Sequence, residues 1–281
     1  MTDPLVTTQW LADHLADADL RVFDASWFMP GTPRDAKAEF VAGHIPGAVR
    51  FDIDALSDQT SSLPHMLPDP AEFAVAMRRL GLSKESVVVV YDSEGVFSAP
   101  RAWWMLRAFG HAAVFVLDGG LPKWVAEGRA VEQGWPTPEH GDFKAYPRPD
   151  LVRDLAAMRA VVAAKSPTIL DARPAARFHG QAPEPRPGLR SGHMPGAVNA
   201  PWSLLVDRGA MHGADRLAAL FAGLGVDVAK PAIATCGSGV SACVIALALA
   251  RVGHPDTPVY DGSWAEWGAL ADAPVAAEAA G

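Results

Sequence analysis

The chain says the same thing twice. Gly43-His44-Ile45-Pro46-Gly47-Ala48-Val49 returns as Gly192-His193-Met194-Pro195-Gly196-Ala197-Val198. Phe23-Asp24-Ala25 returns as Leu170-Asp171-Ala172, and Leu117-Asp118-Gly119-Gly120-Leu121 as Tyr260-Asp261-Gly262-Ser263-Trp264. Offsets of 143 to 149 residues are far too long for a solenoid repeat, so they imply a duplicated domain. Any fold for these 281 residues must therefore be one that can be built twice. Pro136, Pro138, Pro147 and Pro149 punctuate a polar stretch and mark the boundary. The expected division is a first domain over 1–135, a linker over 136–149 and a second domain over 150–281.

Within each half, short apolar runs alternate with helical patterns. Strands are expected at 20–24, 87–91 and 114–117, and again at 168–171, 231–235 and 258–260, where β-branched residues cluster. Helices are expected at 8–15, 70–80, 99–109 and 121–127, then at 151–164, 215–222, 240–252 and 263–270. Asp69 with Glu72 reads as an N-terminal cap of the 70–80 helix, and Gly81 as its stop. Continuously apolar strands between helices imply an α/β fold: two tandem domains, each a mainly parallel sheet with helices on both faces.

The bulk properties exclude several classes. A net charge of −8 argues against nucleic acid as a partner. No apolar run reaches the roughly 18 residues a membrane helix needs. The first residues lack the basic start and apolar core of a secretion signal, so a cytoplasmic location is expected. The only cysteines are Cys236 and Cys243, and no Cys/His cluster has zinc spacing, so neither a disulfide framework nor a metal is expected.

Chemistry concentrates at Cys236. It ends the apolar run 231–235 and opens a Gly-x-Gly loop, Cys236-Gly237-Ser238-Gly239-Val240-Ser241, that feeds a helix. Unpaired backbone N–H groups at such a helix start favour an anion, here a thiolate. Cys243, among Val244, Ile245 and Leu247, reads as core. Superposing the repeats puts Asp92 where the other half has Cys236, so one reactive site per chain is expected. A thiolate in such a loop suits phosphoester hydrolysis, arsenate reduction or sulfur transfer. A cysteine phosphatase needs an arginine six positions after its cysteine; Ala242 stands there, which argues against that chemistry. His44 and His193 occur in both halves, including the one without the cysteine, and read as structural.

The repeat, the Gly-His-x-Pro-Gly-Ala elements and the cysteine loop together resemble the two-domain sulfurtransferases of the rhodanese superfamily. Cys-Gly-Ser-Gly-Val is similar to the loop of the 3-mercaptopyruvate sulfurtransferases; thiosulfate sulfurtransferases usually carry charged residues where this chain has Gly237 and Ser238. The resemblance implies Cys236 as nucleophile and persulfide carrier, assisted by Ser238, by His65 of His65-Met66-Leu67-Pro68 and by Asp54 of Phe51-Asp52-Ile53-Asp54. It implies Arg177 and Arg186 as donors to the substrate's carboxylate and carbonyl, with Gly237, Gly239, Val240 and Ser241 lining the substrate. Ser241 stands where the family usually has threonine, and keeps the hydroxyl. The implied reaction takes sulfur from 3-mercaptopyruvate, releases pyruvate and passes sulfur to thioredoxin, a small thiol or cyanide, with no cofactor. Thiosulfate as donor, or a persulfide carrier without turnover, are the alternatives. Because His65 and Asp54 precede the boundary, residues from both halves of the sequence are expected to serve the reaction.

Overall fold

The computed structural model describes residues 3–277. The chain divides into two compact units. The first comprises residues up to Gln59, Leu67–Arg148 and Arg208–Met211; the second comprises Thr60–Met66, Pro149–Asp207 and the residues from His212 onward. The segment carrying His65 thus groups with the second unit, although it lies in the first half of the sequence.

In the first unit the elements run β1 (Leu5–Val6), α1 (Thr8–His14), β2 (Leu20–Asp24), α2 (Ala36–Ala42), β3 (Val49–Arg50), α3 (Pro70–Arg79), β4 (Val87–Tyr91), α4 (Ala99–Ala108), β5 (Val114–Leu117) and α5 (Gly120–Ala126). The strands form one parallel sheet in the order β1-β5-β4-β2-β3. Val88 to Tyr91 of β4 are fully buried, as expected for a parallel strand covered on both faces. Asp69 caps α3 by accepting the Ala71 and Glu72 N–H groups, and Gly81 leaves the helix at φ 83°. The Pro-rich stretch expected as a linker is bonded along this unit: Gly141, Phe143, Tyr146 and Arg148 N–H groups donate to Arg78, Leu82, Phe109 and Ala108 carbonyls.

In the second unit the elements are β6 (Val152–Arg153), α6 (Leu155–Ala164), β7 (Thr168–Asp171), α7 (Ala175–Phe178), β8 (Val198–Asn199), β9 (Val206–Asp207), α8 (Ala214–Gly223), β11 (Ala232–Thr235), α9 (Ala242–Arg251), β12 (Val259–Tyr260) and α10 (Ser263–Trp267); β10 (Ala210–Met211) lies in the first unit. The second sheet is again parallel, in the order β6-β12-β11-β7-β8, strand for strand that of the first. Helix α9 packs on β11 and β12, as α4 packs on β4 and β5. Several expected bounds shift, most by one residue; the helix expected from residue 151 begins at Leu155, because Val152–Arg153 form β6. The helix expected from residue 240 begins at Ala242, with Val240 and Ser241 in the turn that leads into it and Ser241 at its N-terminal cap position. The helix expected to reach residue 270 ends at Trp267.

The repeated histidines have the same role in each unit. His44 is stacked on Phe40, with ring centroids 4.1 Å apart, and its Nδ1 meets the Phe40 carbonyl at 2.8 Å. His193 is stacked on Phe178 at 3.8 Å, and its Nδ1 meets the Phe178 carbonyl at 2.9 Å. No helix among the described residues is long and apolar enough to cross a membrane.

Candidate active site

Cys236 follows the last residue of β11, at the carboxyl end of a central strand, where α/β sheets place their ligands. Its side chain is buried, and the Gly239 N–H donates to Sγ at 3.2 Å. The backbone is clamped on both sides: the Cys236 N–H donates to Ser263 Oγ at 3.3 Å, and the Trp264 N–H donates to the Cys236 carbonyl at 3.0 Å. Cys243 is buried in α9, its S–H donating to the Gly239 carbonyl at 3.2 Å, four residues back along the chain. Both cysteines are free thiols.

The first unit shows what such a loop holds. Asp92 follows β4 as Cys236 follows β11, and it is fully buried. One carboxylate oxygen accepts the Glu94 N–H at 2.9 Å; the other accepts the Phe97, Ser98 and Ala99 N–H groups at 2.8 to 2.9 Å. Burial pushes the Asp92 carboxyl above its ordinary range, while those four donors pull it down. The Asp92 loop is therefore an anion cradle, whereas in the Cys236 loop the Gly239 N–H meets Sγ and the Cys243 N–H, the counterpart of that of Ala99, donates to the Val240 carbonyl. In the first unit the chain fills the loop with its own carboxylate; in the second it presents a sulfur.

Arg177, on α7, lies against this loop. A Cβ added at Gly237 would come within 2.9 Å of Arg177 Nη2, so a side chain there would shift the tip of the guanidinium. Arg177 is held from behind by Glu184, which accepts its Nε–H at 3.1 Å and its Nη2–H. Glu184 also accepts from Arg173 Nη1 at 2.8 Å, and Arg173 in turn grips Asp171 through Nε and Nη2 and lies over Trp264 at 4.3 Å. Burial pulls the Arg173 guanidinium down, but Asp171 and Glu184 outweigh it and hold it above its ordinary value. These pairs join residues by space, so the sequence showed Asp171 only as a repeated residue and not as the partner of Arg173, nor Glu184 as the partner of both arginines. Glu184→Gln is expected to cost about 1–3 kcal/mol, because the buried Arg173 and the half-buried Arg177 guanidinium groups lose a shared charged acceptor. A drop in the denaturation midpoint at unchanged slope checks this.

Ser238 is buried, and its backbone carbonyl, not its hydroxyl, meets His65 Nδ1 at 3.1 Å. A carbonyl only accepts, so that nitrogen carries the proton. His65 is buried at φ 61°, a left-handed conformation that costs a non-glycine residue about 1–2 kcal/mol. Such strain tends to gather at functional positions. Asp54 lies in the first unit, where both carboxylate oxygens accept from Trp27 Nε1 at 3.1 Å. Arg186 is half-buried in the second unit. Val240 is buried, and Ser241 is the N-terminal cap position of α9. Among the described residues, no group of three or more His, Cys, Asp or Glu side chains is placed to hold a metal ion.

A doubled parallel α/β unit, with a cysteine loop at one sheet and an aspartate loop at the other, defines a class. The chain belongs to the rhodanese-like domain family, which matches it twice, over residues 7–127 and 153–270. It is 49% identical over 271 residues, 96% of each chain, to the 3-mercaptopyruvate sulfurtransferase of Escherichia coli K12. It is 45% identical over 270 residues, 94% of this chain and 92% of the other, to the thiosulfate sulfurtransferase of Gallus gallus. The crystal structure of SseA from Escherichia coli, a 3-mercaptopyruvate sulfotransferase, superposes with a TM-score of 0.86 at 46% identity, covering 94% of this chain and all of that one.

Proposed function

We propose that this protein is a sulfurtransferase that takes sulfur from 3-mercaptopyruvate through a persulfide on Cys236. The observation that carries the reading is the Cys236 loop itself: a sulfur at a strand end, receiving a backbone N–H, with a guanidinium against Gly237. The Escherichia coli relative named for this reaction supports it.

The Cys236 thiolate attacks the sulfur of the bound mercapto-oxo acid. The carbon–sulfur bond breaks, and its electron pair stays on carbon as the pyruvate enolate. The proton lost by the substrate thiol offsets the one that converts this enolate to pyruvate, and the outer sulfur remains on Cys236 as a persulfide anion. Arg177 and Arg186 bind the carboxylate and ketone oxygen, for which a planar fork of N–H donors is suited. Ser238, His65 and Asp54 are the residues we assign to the proton movements. Gly237, Gly239, Val240 and Ser241 line the transferred sulfur, whose negative charge is stabilised by the Gly239 N–H that already meets Sγ. A thiol, a small one or thioredoxin, then attacks the outer sulfur and restores the Cys236 thiolate. A cytoplasmic setting, which keeps thiols reduced, suits both free cysteines.

Gly237 favours this donor over thiosulfate. A charged side chain there, as thiosulfate sulfurtransferases usually carry, would enter the space of Arg177 Nη2. The thiosulfate reading is kept alive by the 45% identical Gallus gallus relative. Steady-state kinetics with both donors and one acceptor decide the matter: kcat/KM is expected to be larger for 3-mercaptopyruvate, and a larger value for thiosulfate overturns the assignment. Arg186→Ala is expected to raise KM for 3-mercaptopyruvate about tenfold or more, the loss of one charge-assisted pair, and to raise it less for thiosulfate. An unchanged ratio removes Arg186 from donor selection.

A further inference from the structure

The two repeats differ at one position that touches the cysteine and has no part in the chemistry above. Gly120 and Ser263 are counterparts in the repeated Asp-Gly-Gly and Asp-Gly-Ser turns. Both adopt left-handed backbone, at φ 55° and 49°. In the first unit the residue is glycine, which accepts that conformation without strain; a Cβ there would meet the Asp92 carbonyl at 2.4 Å. In the second unit a serine bears the strain. The neighbouring backbone bond is the same in both: the Leu121 N–H donates to the Asp92 carbonyl at 3.0 Å, and the Trp264 N–H donates to the Cys236 carbonyl at 3.0 Å. The strand-end turn is therefore held in either unit without a hydroxyl, and the strained serine occurs only beside the cysteine.

Ser263 is fully buried, and its hydroxyl is fully engaged. It donates to the Tyr260 carbonyl at 2.8 Å and accepts the Cys236 N–H at 3.3 Å and the Thr235 hydroxyl at 3.4 Å. One donor and two lone pairs are the whole capacity of a serine hydroxyl. We propose that Ser263 is a positioning residue for Cys236: its hydroxyl holds the cysteine's backbone N–H, fixing the cysteine so that Sγ meets the Gly239 N–H. The residue acts through the backbone of Cys236 and touches no substrate. The proposal rests on Cys236 being the nucleophile.

Two variants separate this role from simple support of the turn. Ser263→Ala removes the hydroxyl and keeps the strain; Ser263→Gly removes both. Three measurements are made on each: melting temperature, kcat with 3-mercaptopyruvate, and the pH dependence of Cys236 alkylation by iodoacetamide, followed by peptide mass. The glycine variant is expected to melt higher than the alanine variant. Both are expected to lose on the order of tenfold in kcat, as misplaced reacting atoms do. In both, the alkylation profile is expected to shift to higher pH, because the Gly239 N–H holds the sulfur less well. Parental kcat and profile in the glycine variant, with loss confined to alanine, would show that Ser263 only supports the turn, and the proposal fails; parental values in both variants also overturn it. Cys236→Ser in the same series isolates the underlying reading: if it still transfers sulfur, the nucleophile assignment fails, whatever Ser263 does.

Discussion

Cys236→Ser is expected to abolish sulfur transfer, by a factor on the order of 10⁴ or more, as deletion of a covalent nucleophile does. Serine fits the space and can accept the Gly239 N–H, so the fold should stand and the melting temperature should hold. What is lost is chemical: a hydroxyl is scarcely ionised near neutral pH, and its oxygen cannot carry the transferred sulfur as a persulfide. Cys243→Ser is the matched control. Cys243 is a buried residue of α9 whose bond to the Gly239 carbonyl is the local kind a helix makes four residues back, and a serine hydroxyl can make it too. That variant should transfer sulfur at close to the parental rate. Mass spectrometry after one equivalent of donor, without acceptor, gives a direct check: about 32 Da should be gained by the parent and by Cys243→Ser, and not by Cys236→Ser, if the intermediate is a persulfide on one cysteine. Equal loss of activity in both variants would end the division of roles between the two thiols.

The repeat carried most of what the sequence could say about this fold. Once Gly43–Val49 is matched to its second copy, one unit's strand order predicts the other's, and the two sheets do share it. The strand at 87–91 was legible because it is a full apolar run, and that at 20–24 because Leu20, Val22 and Phe23 are apolar and its end recurs in the second half. The edge strands β1, β3, β6 and β8 were not, since two residues cannot show a period. Helix α2 was missed although Asp35 caps it, because its polar face obscures a short pattern that buries only Phe40. At the site, Cys236 was legible from the coincidence of strand end, glycine loop and helix start. The roles expected of Arg177 and Arg186 rest on resemblance, since either arginine alone reads as a surface charge. The Asp171–Arg173–Glu184 chain behind Arg177 was hidden, because buried ion pairs join residues by space and leave no spacing to count. The contact of His65 with the Ser238 carbonyl could not be read from residue types at all, since every residue has a carbonyl.

Asp92→Ala is expected to destabilise the first unit strongly. The carboxylate satisfies four backbone N–H groups at the end of β4, and the three from Phe97, Ser98 and Ala99 are buried. Each donor left without a partner costs about 1–3 kcal/mol, and relaxation or an entering water recovers part, so a net loss of about 3–5 kcal/mol is expected. Asp92→Asn sorts the contributions. Its amide oxygen can keep the three donors from Phe97, Ser98 and Ala99, while its NH₂ group faces the Glu94 N–H, so it should cost clearly less than alanine. It also removes a buried charge that burial already disfavours, which offsets part of the lost bond. Thermal and denaturant unfolding of the two variants give the order parent, asparagine, alanine if the carboxylate is the internal ligand of its loop. Alanine as stable as the parent would mean that the loop keeps its shape without an anion. The shape of the loop would then rest on its backbone bonds, such as that from the Leu121 N–H to the Asp92 carbonyl, and the carboxylate would be an occupant rather than the organiser of the turn.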